Sequence, residues 1–244
     1  MPTALPPANQ LLASLPPADY EMLRPHLRIT ELTDASILAE AGKPIQSAYF
    51  PFSGIISLVV GLAGGETVDV ATIGNDSAFG VAAALNSGVS MSNAVVRLPG
   101  TASILDVAHL RAAADESAPL RSVLIRHEET LFAQVQQYAA CNAVHALDAR
   151  LSRCLLRLRD LAGVDTLYAT QELLAEMLGV QRNSVSIVAN ELQQANLIQY
   201  HRGVIEIVDP EGLRVRACEC YHVVKMYYRR PSPAESNGEE STET

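Results

Sequence analysis

Several things are missing from this 244-residue chain, and each absence closes a route. No run of about 18 uncharged apolar residues occurs, so a membrane span is not expected. The first residues, MPTALPPANQ, lack a basic start followed by an apolar run. No secretory leader is expected, and the expected compartment is the cytoplasm. Cysteine is confined to Cys141, Cys154, Cys218 and Cys220, with no C-x-x-C pair and no histidine at the usual zinc-ligand spacing. Free, partly buried thiols without a metal are the expectation, and the role of the close pair Cys218 and Cys220 stays open. Basic residues are outnumbered, 18 against 27, for a net charge of −9. The deficit is uneven. Residues 1–147 hold 7 basic against 13 acidic side chains, residues 148–230 hold 11 against 10, and residues 231–244 hold four Glu and no base.

Between Arg28 and Val107 short β-rich runs alternate with turn signals. They cover residues 36–40, 47–52, 54–61, 66–73, 94–98 and 102–106, and Gly64-Gly65 marks a hairpin. Strands at this spacing predict a small barrel or sandwich. GLAGG at 61–65 is not a phosphate loop, because no helix or Lys-Ser/Thr follows. An enzyme of the cupin type would need histidines inside such a barrel, and there is none between Arg28 and Leu105. One or two short helices are expected within 9–27.

Pro119 opens a predicted helix to about Asn142. Leu120, Leu124, His127, Leu131, Gln134 and Tyr138 follow 4-3-4-3-4 steps along it. That spacing predicts a seam against the same helix of a second copy, in which His127 and Gln134 would need hydrogen-bond partners. A further helix is expected over 146–162, where Arg150, Arg153, Arg157 and Arg159 are read either as phosphate contacts or as an ordinary solvated face.

The most informative stretch is Thr170–Leu192, TQELLAEMLGVQRNSVSIVANEL. Leu174, Ala175, Leu178, Val180, Val185 and Val188 fall at the buried positions of two helices pinched around Gly179. Ala175 sits at their closest crossing, and Gly179 in the turn can take φ > 0 without steric cost. Val185, Val188 and Leu192 face inward, leaving Arg182, Asn183, Ser184, Ser186 and Asn190 outward. All five are polar and none is acidic, which suits base edges and phosphates. A strand pair turned at Arg202-Gly203 follows within 197–208, then one helix over 210–228. The end, 231–244, is expected to be a disordered acidic tail.

Barrel, long helix, helix-turn-helix and two-stranded wing, in that order, resemble the Crp/Fnr family of bacterial transcription regulators. The resemblance is most specific in T170-Q-E-L-L-A-E-M-L-G-V-Q-R-N-S-V-S and in R202-G-V-I-E-I-V-D-P-E-G-L213, with weaker support from F50-P-F-S-G-I-I and L147-D-A-R-L. It implies an α+β fold. A cyclic-nucleotide-binding-like jelly-roll sensor barrel (a double-stranded β-helix) spans 1–117 and a dimerisation helix 118–143. A winged helix-turn-helix domain spans 144–230. It also implies a non-enzymatic homodimer that binds a pseudo-palindromic duplex DNA operator and RNA polymerase. By the same resemblance Thr170 caps the first helix of the motif and Gln171 lies near a phosphate. Arg182, Asn183 and Ser186 would read bases, and Ser184 would touch phosphate. Asn190 and Arg202 complete the expected DNA-facing set.

Two reading positions depart from the family. Asn183 stands where Glu is frequent, and Ile187 where a second Arg is frequent, so an altered operator is expected. The nucleotide cassette departs further. Gly80 remains, but Val81 replaces the ribose-binding Glu and Ser92, before Asn93, replaces the phosphate-binding Arg. Gly80, Val81, Ser92 and Asn93 are thus a degenerate effector pocket, and no cyclic nucleotide and no iron–sulfur cluster is expected. A cyclic-nucleotide-gated regulator and a protein-interaction module that does not read DNA stay as alternatives.

Overall fold

The computed structural model describes residues 9–86 and 88–229. Residue 230 and the tail 231–244, expected to be disordered, lie outside them. Two short helices, α1 (Gln10–Ala13) and α2 (Pro17–Leu23), and a 3-10 turn (Arg24–His26) lead into the barrel. Its strands are β1 (Arg28–Leu32), β2 (Ile37–Ala39), β3 (Ser47–Pro51), β4 (Ile55–Gly61) and β5 (Thr67–Ile73). A short helix α3 (Ala82–Leu85) precedes β6 (Asn93–Leu98) and β7 (Gly100–Asp106). The helices α4 (Val107–Glu116), α5 (Ala118–Val144) and α6 (Leu147–Ala162) follow. The remainder is β8 (Thr166–Tyr168), α7 (Gln171–Leu178), α8 (Arg182–Gln194), β9 (Ile198–His201), β10 (Val204–Ile207), α9 (Pro210–Arg216) and α10 (Cys220–Arg229).

The barrel strands form two antiparallel sheets, ordered β1-β7-β3 and β2-β6-β4-β5. One cluster fills the space between them, with Leu32 and Ala102 from the first sheet against Ile56, Ile73 and Val96 from the second. On the other side of the β3–β7 sheet, Phe50 and Leu105 pack with Leu12, Leu23, Leu110, Leu120 and Leu124 from the helices. A third cluster joins α6, α7, α8 and the wing, and takes in Ile55 and Leu98 of the barrel. Barrel and helix-turn-helix are therefore in direct apolar contact. Gly74 lies at this junction, where a Cβ would sit 2.8 Å from Leu161 Cδ2, so no larger residue fits without a shift.

The long helix begins where its residues dictate. Ser117 in extended conformation accepts a hydrogen bond from the Leu120 amide, and Pro119 lies in the first turn, where its missing N–H is no loss. The expected seam is corrected here. Leu120, Leu124, His127, Leu131, Gln134 and Tyr138 are all at most 8% exposed, because they face their own barrel and helices. His127 Nε2 accepts from the Ala78 amide at 3.0 Å. The Gln134 side chain accepts from the Thr72 amide at 2.7 Å and donates to the Thr72 carbonyl at 3.3 Å. Since β5 is an edge strand, this amide takes the place of a further strand and blunts the edge. The stripe left outside is offset from the expected one: Ile125, Glu129, Phe132, Gln136 and Ala139, at the same 4-3-4-3 spacing.

Five further differences stand out. β1, α3, α4 and the third wing strand β8 are additional to the expected elements. The helix expected over 210–228 is broken at Ala217, whose ψ of 148° is extended.

Candidate nucleic-acid interface

Thr170 Oγ1 accepts from the Leu173 amide at 3.1 Å, the N-cap of α7. At the other end Gly179 takes φ +62°, and the Val180 amide reaches back to the Ala175 carbonyl at 3.0 Å. This turn redirects the chain into α8. Leu174, Ala175, Leu178, Val185, Ala189 and Leu192 close the core between the helices, with Ala175 3% exposed. Val188, expected inside, is only partly buried, and Ala189 takes the central position.

With that face inward, Arg182, Asn183 and Asn190 are exposed and Ser184 is half-buried. Ile187 is 60% exposed on the same row. Ser186 donates to Gln171 Oε1 at 2.6 Å, so these two expected DNA contacts hold the helices of the motif to each other. Arg182 Nε lies 3.9 Å from Glu172, and both side chains are two-thirds exposed, a pairing weak enough to exchange for another acceptor.

Arg202 and Gly203 both have positive φ, +48° and +83°, as a two-residue turn between twisted strands requires. Arg202 is exposed at this tip, and a Cβ on Gly203 would lie 3.4 Å from Thr170. The wing tip, the α7 N-terminus and the outer row of α8 therefore adjoin.

Three of the four α6 arginines, Arg150, Arg153 and Arg157, are buried rather than on a solvated face, and Arg159 is half-buried. Arg157 forms a bidentate pair with Asp76 of the barrel, at 2.5 and 3.2 Å. Arg153 lies over the Tyr138 ring, 4.2 Å from its centroid. Arg150 donates to the Leu178 carbonyl, and Arg159 pairs with Asp165.

The expected effector residues do not converge either. Val81 is fully buried among helix-facing side chains rather than in the barrel interior. Gly80 has φ +86°, and a Cβ there would come 2.6 Å from the Ser47 carbonyl, so its glycine is a backbone requirement. Asn93 accepts from the Ala41 amide at 2.8 Å, and the Ser92 carbonyl accepts from Ser90. Arg97 points away from Ala94 and Val96, its interior-facing neighbours on β6. It pairs with Asp69 on β5 at 2.5 Å and with Glu176 on α7 at 2.7 Å, a charged link from barrel to helix-turn-helix. Burial pushes the Asp69 carboxyl above its ordinary range, with the Arg97 guanidinium opposing that rise.

One cluster was not anticipated. Cys141 and His145 at the end of α5 meet Cys218 and Cys220 at the start of α10, with one ligand atom from each lying within 4.8 Å of all the others. The metal-free reading of these thiols overlooked that grouping. Cys141 and His145 are one helical turn apart, which was a usable signal, but the approach of α10 is purely tertiary.

A family model described as a Crp-like helix-turn-helix domain matches residues 149–216. No curated protein matches the chain. Among solved structures, FixK2 from Bradyrhizobium japonicum is 15% identical with a TM-score of 0.68, over 79% of this chain and 98% of that one. A transcriptional regulator of the CRP/FNR family from Thermus thermophilus is 19% identical with a TM-score of 0.63, over 84% and 100%. The c-di-GMP responsive global regulator CLP of Xanthomonas campestris is 13% identical with a TM-score of 0.62, over 78% and 98%. Residues 149–216 thus match the Crp-like helix-turn-helix domain, and the chain as a whole shares the fold of these solved regulators.

Proposed function

We propose that this protein is a DNA-binding transcription regulator that works as a homodimer on a pseudo-palindromic operator. The observation that carries the reading is the outer row of α8. Arg182, Asn183, Ser184 and Asn190 stand outward beside the wing tip, with no acid among them. Arg182 is suited to guanine O6 and N7, Asn183 to adenine, and Ile187 to a thymine methyl. Arg202 at the wing tip is suited to backbone phosphate.

Dimerisation is assigned to the exposed stripe of α5. Ile125 and Phe132 are 44% and 63% exposed there, at heptad spacing on a helix of 27 residues. A twofold axis along it would set two α8 helices toward half-sites about one helical turn, ~34 Å, apart. Residues 148–230 are nearly balanced in charge, so non-specific binding is expected to be modest and salt-sensitive.

The barrel is read as a sensor that does not use cyclic nucleotides. Its nearest arginine, Arg97, is held by Asp69 and Glu176, and Val81 stands where the family has its Glu. No enzymatic activity is proposed, and the partners besides DNA are a second copy and RNA polymerase.

The test is footprinting on the protein's own upstream region with wild type and Arg182→Ala. Arg182→Ala is expected to keep its fold and lose about 1–3 kcal/mol of sequence discrimination. Equal protection by both proteins would displace α8 from the reading position. Micromolar binding of cAMP or cGMP in calorimetry would restore the nucleotide-gated reading.

A further inference from the structure

We propose that Cys141, His145, Cys218 and Cys220 form a structural zinc site that ties the end of α5 to the DNA-binding domain. The donor set, three thiols and one imidazole, is a usual one for structural zinc. All four donor atoms lie within 4.8 Å of one another, and two of the separations match a single tetrahedral ion. Cys141 Sγ lies 3.5 Å from Cys218 Sγ, and Cys220 Sγ 3.6 Å from His145 Nδ1. Those separations are close to tetrahedron edges when the Zn–S and Zn–N bonds are about 2.3 and 2.0 Å.

Three independent features point the same way. First, the chain breaks for the site. On a continuous helix, residues 218 and 220 would point to nearly opposite sides. The break falls at Ala217-Cys218-Glu219, which contains neither proline nor glycine, and it lets both thiols face Cys141. Second, the imidazole is oriented. His145 presents Nδ1 to the cluster while its Nε2 lies 3.2 Å from the Glu219 carboxylate. A carboxylate on the far nitrogen is the usual second partner of a zinc-bound histidine. Third, the site is closed and charge-matched. The three cysteines are at most 7% exposed. Three thiolates around Zn²⁺ leave one net negative charge, and the buried Arg150 and Arg153 are within electrostatic range of Cys141 and Cys218. Gln137 also donates to Cys220 Sγ at 3.0 Å. Binding expels the thiol protons to solvent and needs no redox partner.

The site lies where α5 hands over to α6, so the metal fixes the angle between the long helix and the helix-turn-helix. The inference does not depend on DNA binding.

The full-length protein, purified under reducing conditions, is expected to carry about one zinc per chain by elemental analysis. After zinc is removed by a chelator, cobalt chloride should give the intense visible bands of a tetrahedral thiolate complex, bleached by one equivalent of zinc chloride. Cys218→Ser and Cys220→Ser should lose those bands. Glu219→Gln, on an exposed residue that is not a ligand, should bind cobalt about 10–100-fold more weakly. If the serine variants fail to fold, the cobalt spectrum of wild type and the Glu219→Gln titration still decide. A wild-type protein with four freely titrating thiols and no cobalt bands would overturn the proposal. So would a Cys141–Cys218 disulfide, or iron with acid-labile sulfide in place of zinc.

Discussion

The inward face of α5 carries His127 and Gln134 with their side chains bonded to barrel backbone, and Leu120 and Leu124 sunk in the helical core. The outward face carries Ile125 and Phe132, both exposed, at the same heptad spacing. A helix packed on a barrel and a helix packed on a second helix thus leave the same mark in the sequence. The two differ in what the polar members of each stripe do. Gln134 and His127 satisfy fixed backbone groups of the barrel, which a twofold partner helix does not offer, whereas Glu129 and Gln136 sit in solvent.

Substitutions on the two faces should therefore separate stability from assembly. The largest effect is expected for Leu124→Ala. The residue is 1% exposed, and the cavity should lower unfolding free energy by about 2–5 kcal/mol, measured by denaturant titration at fixed protein concentration. Phe132→Glu should do the reverse. It should leave the monomer folded, convert dimer to monomer in sedimentation, and weaken operator binding by roughly 100-fold, since like charges meeting across a twofold axis cost several kcal/mol. A Phe132→Glu protein that remains a dimer would move the interface elsewhere. Gln134→Leu is expected to be the mildest. It strips the β5 edge of its partner and should cost about 1–3 kcal/mol, with the oligomeric state unchanged. A loss of dimer there would return the seam to the inward face.

Much of the fold was legible because its periodicities are strong. Strand alternation gave most of the barrel, and Gly179 with its apolar frame gave the helix-turn-helix, both now seen with the expected caps and φ. The exposed row of α8 was legible for the same reason, since residues left over from a buried stripe must face out, although Ser186 turns back to Gln171. Three things were not. The α5 faces were confused because two 4-3 stripes lie side by side on one helix. The α6 arginines looked like surface charge because their partners, Asp76 and Tyr138, are far away in sequence. The thiol cluster was hidden because 77 residues separate Cys141 from Cys218, and the break that brings Cys218 and Cys220 together has no proline or glycine to announce it.

Arg97 joins the barrel to the helix-turn-helix. It pairs with Asp69 of the barrel and holds α7 through Glu176. The barrel and the helix-turn-helix are then joined by a charged link as well as by the shared core around Ile55 and Leu98.

The outer row of α8 is proposed to read duplex DNA as half of a twofold pair. Selection from random duplexes with the full-length protein at moderate salt, followed by footprinting of the winners, tests it most directly. The expected winner is an inverted repeat with half-site centres one helical turn (~34 Å) apart, whose enrichment disappears with Arg182→Ala. Recovery of no common sequence, or of a single unrepeated site bound equally well by Arg182→Ala, would contradict it.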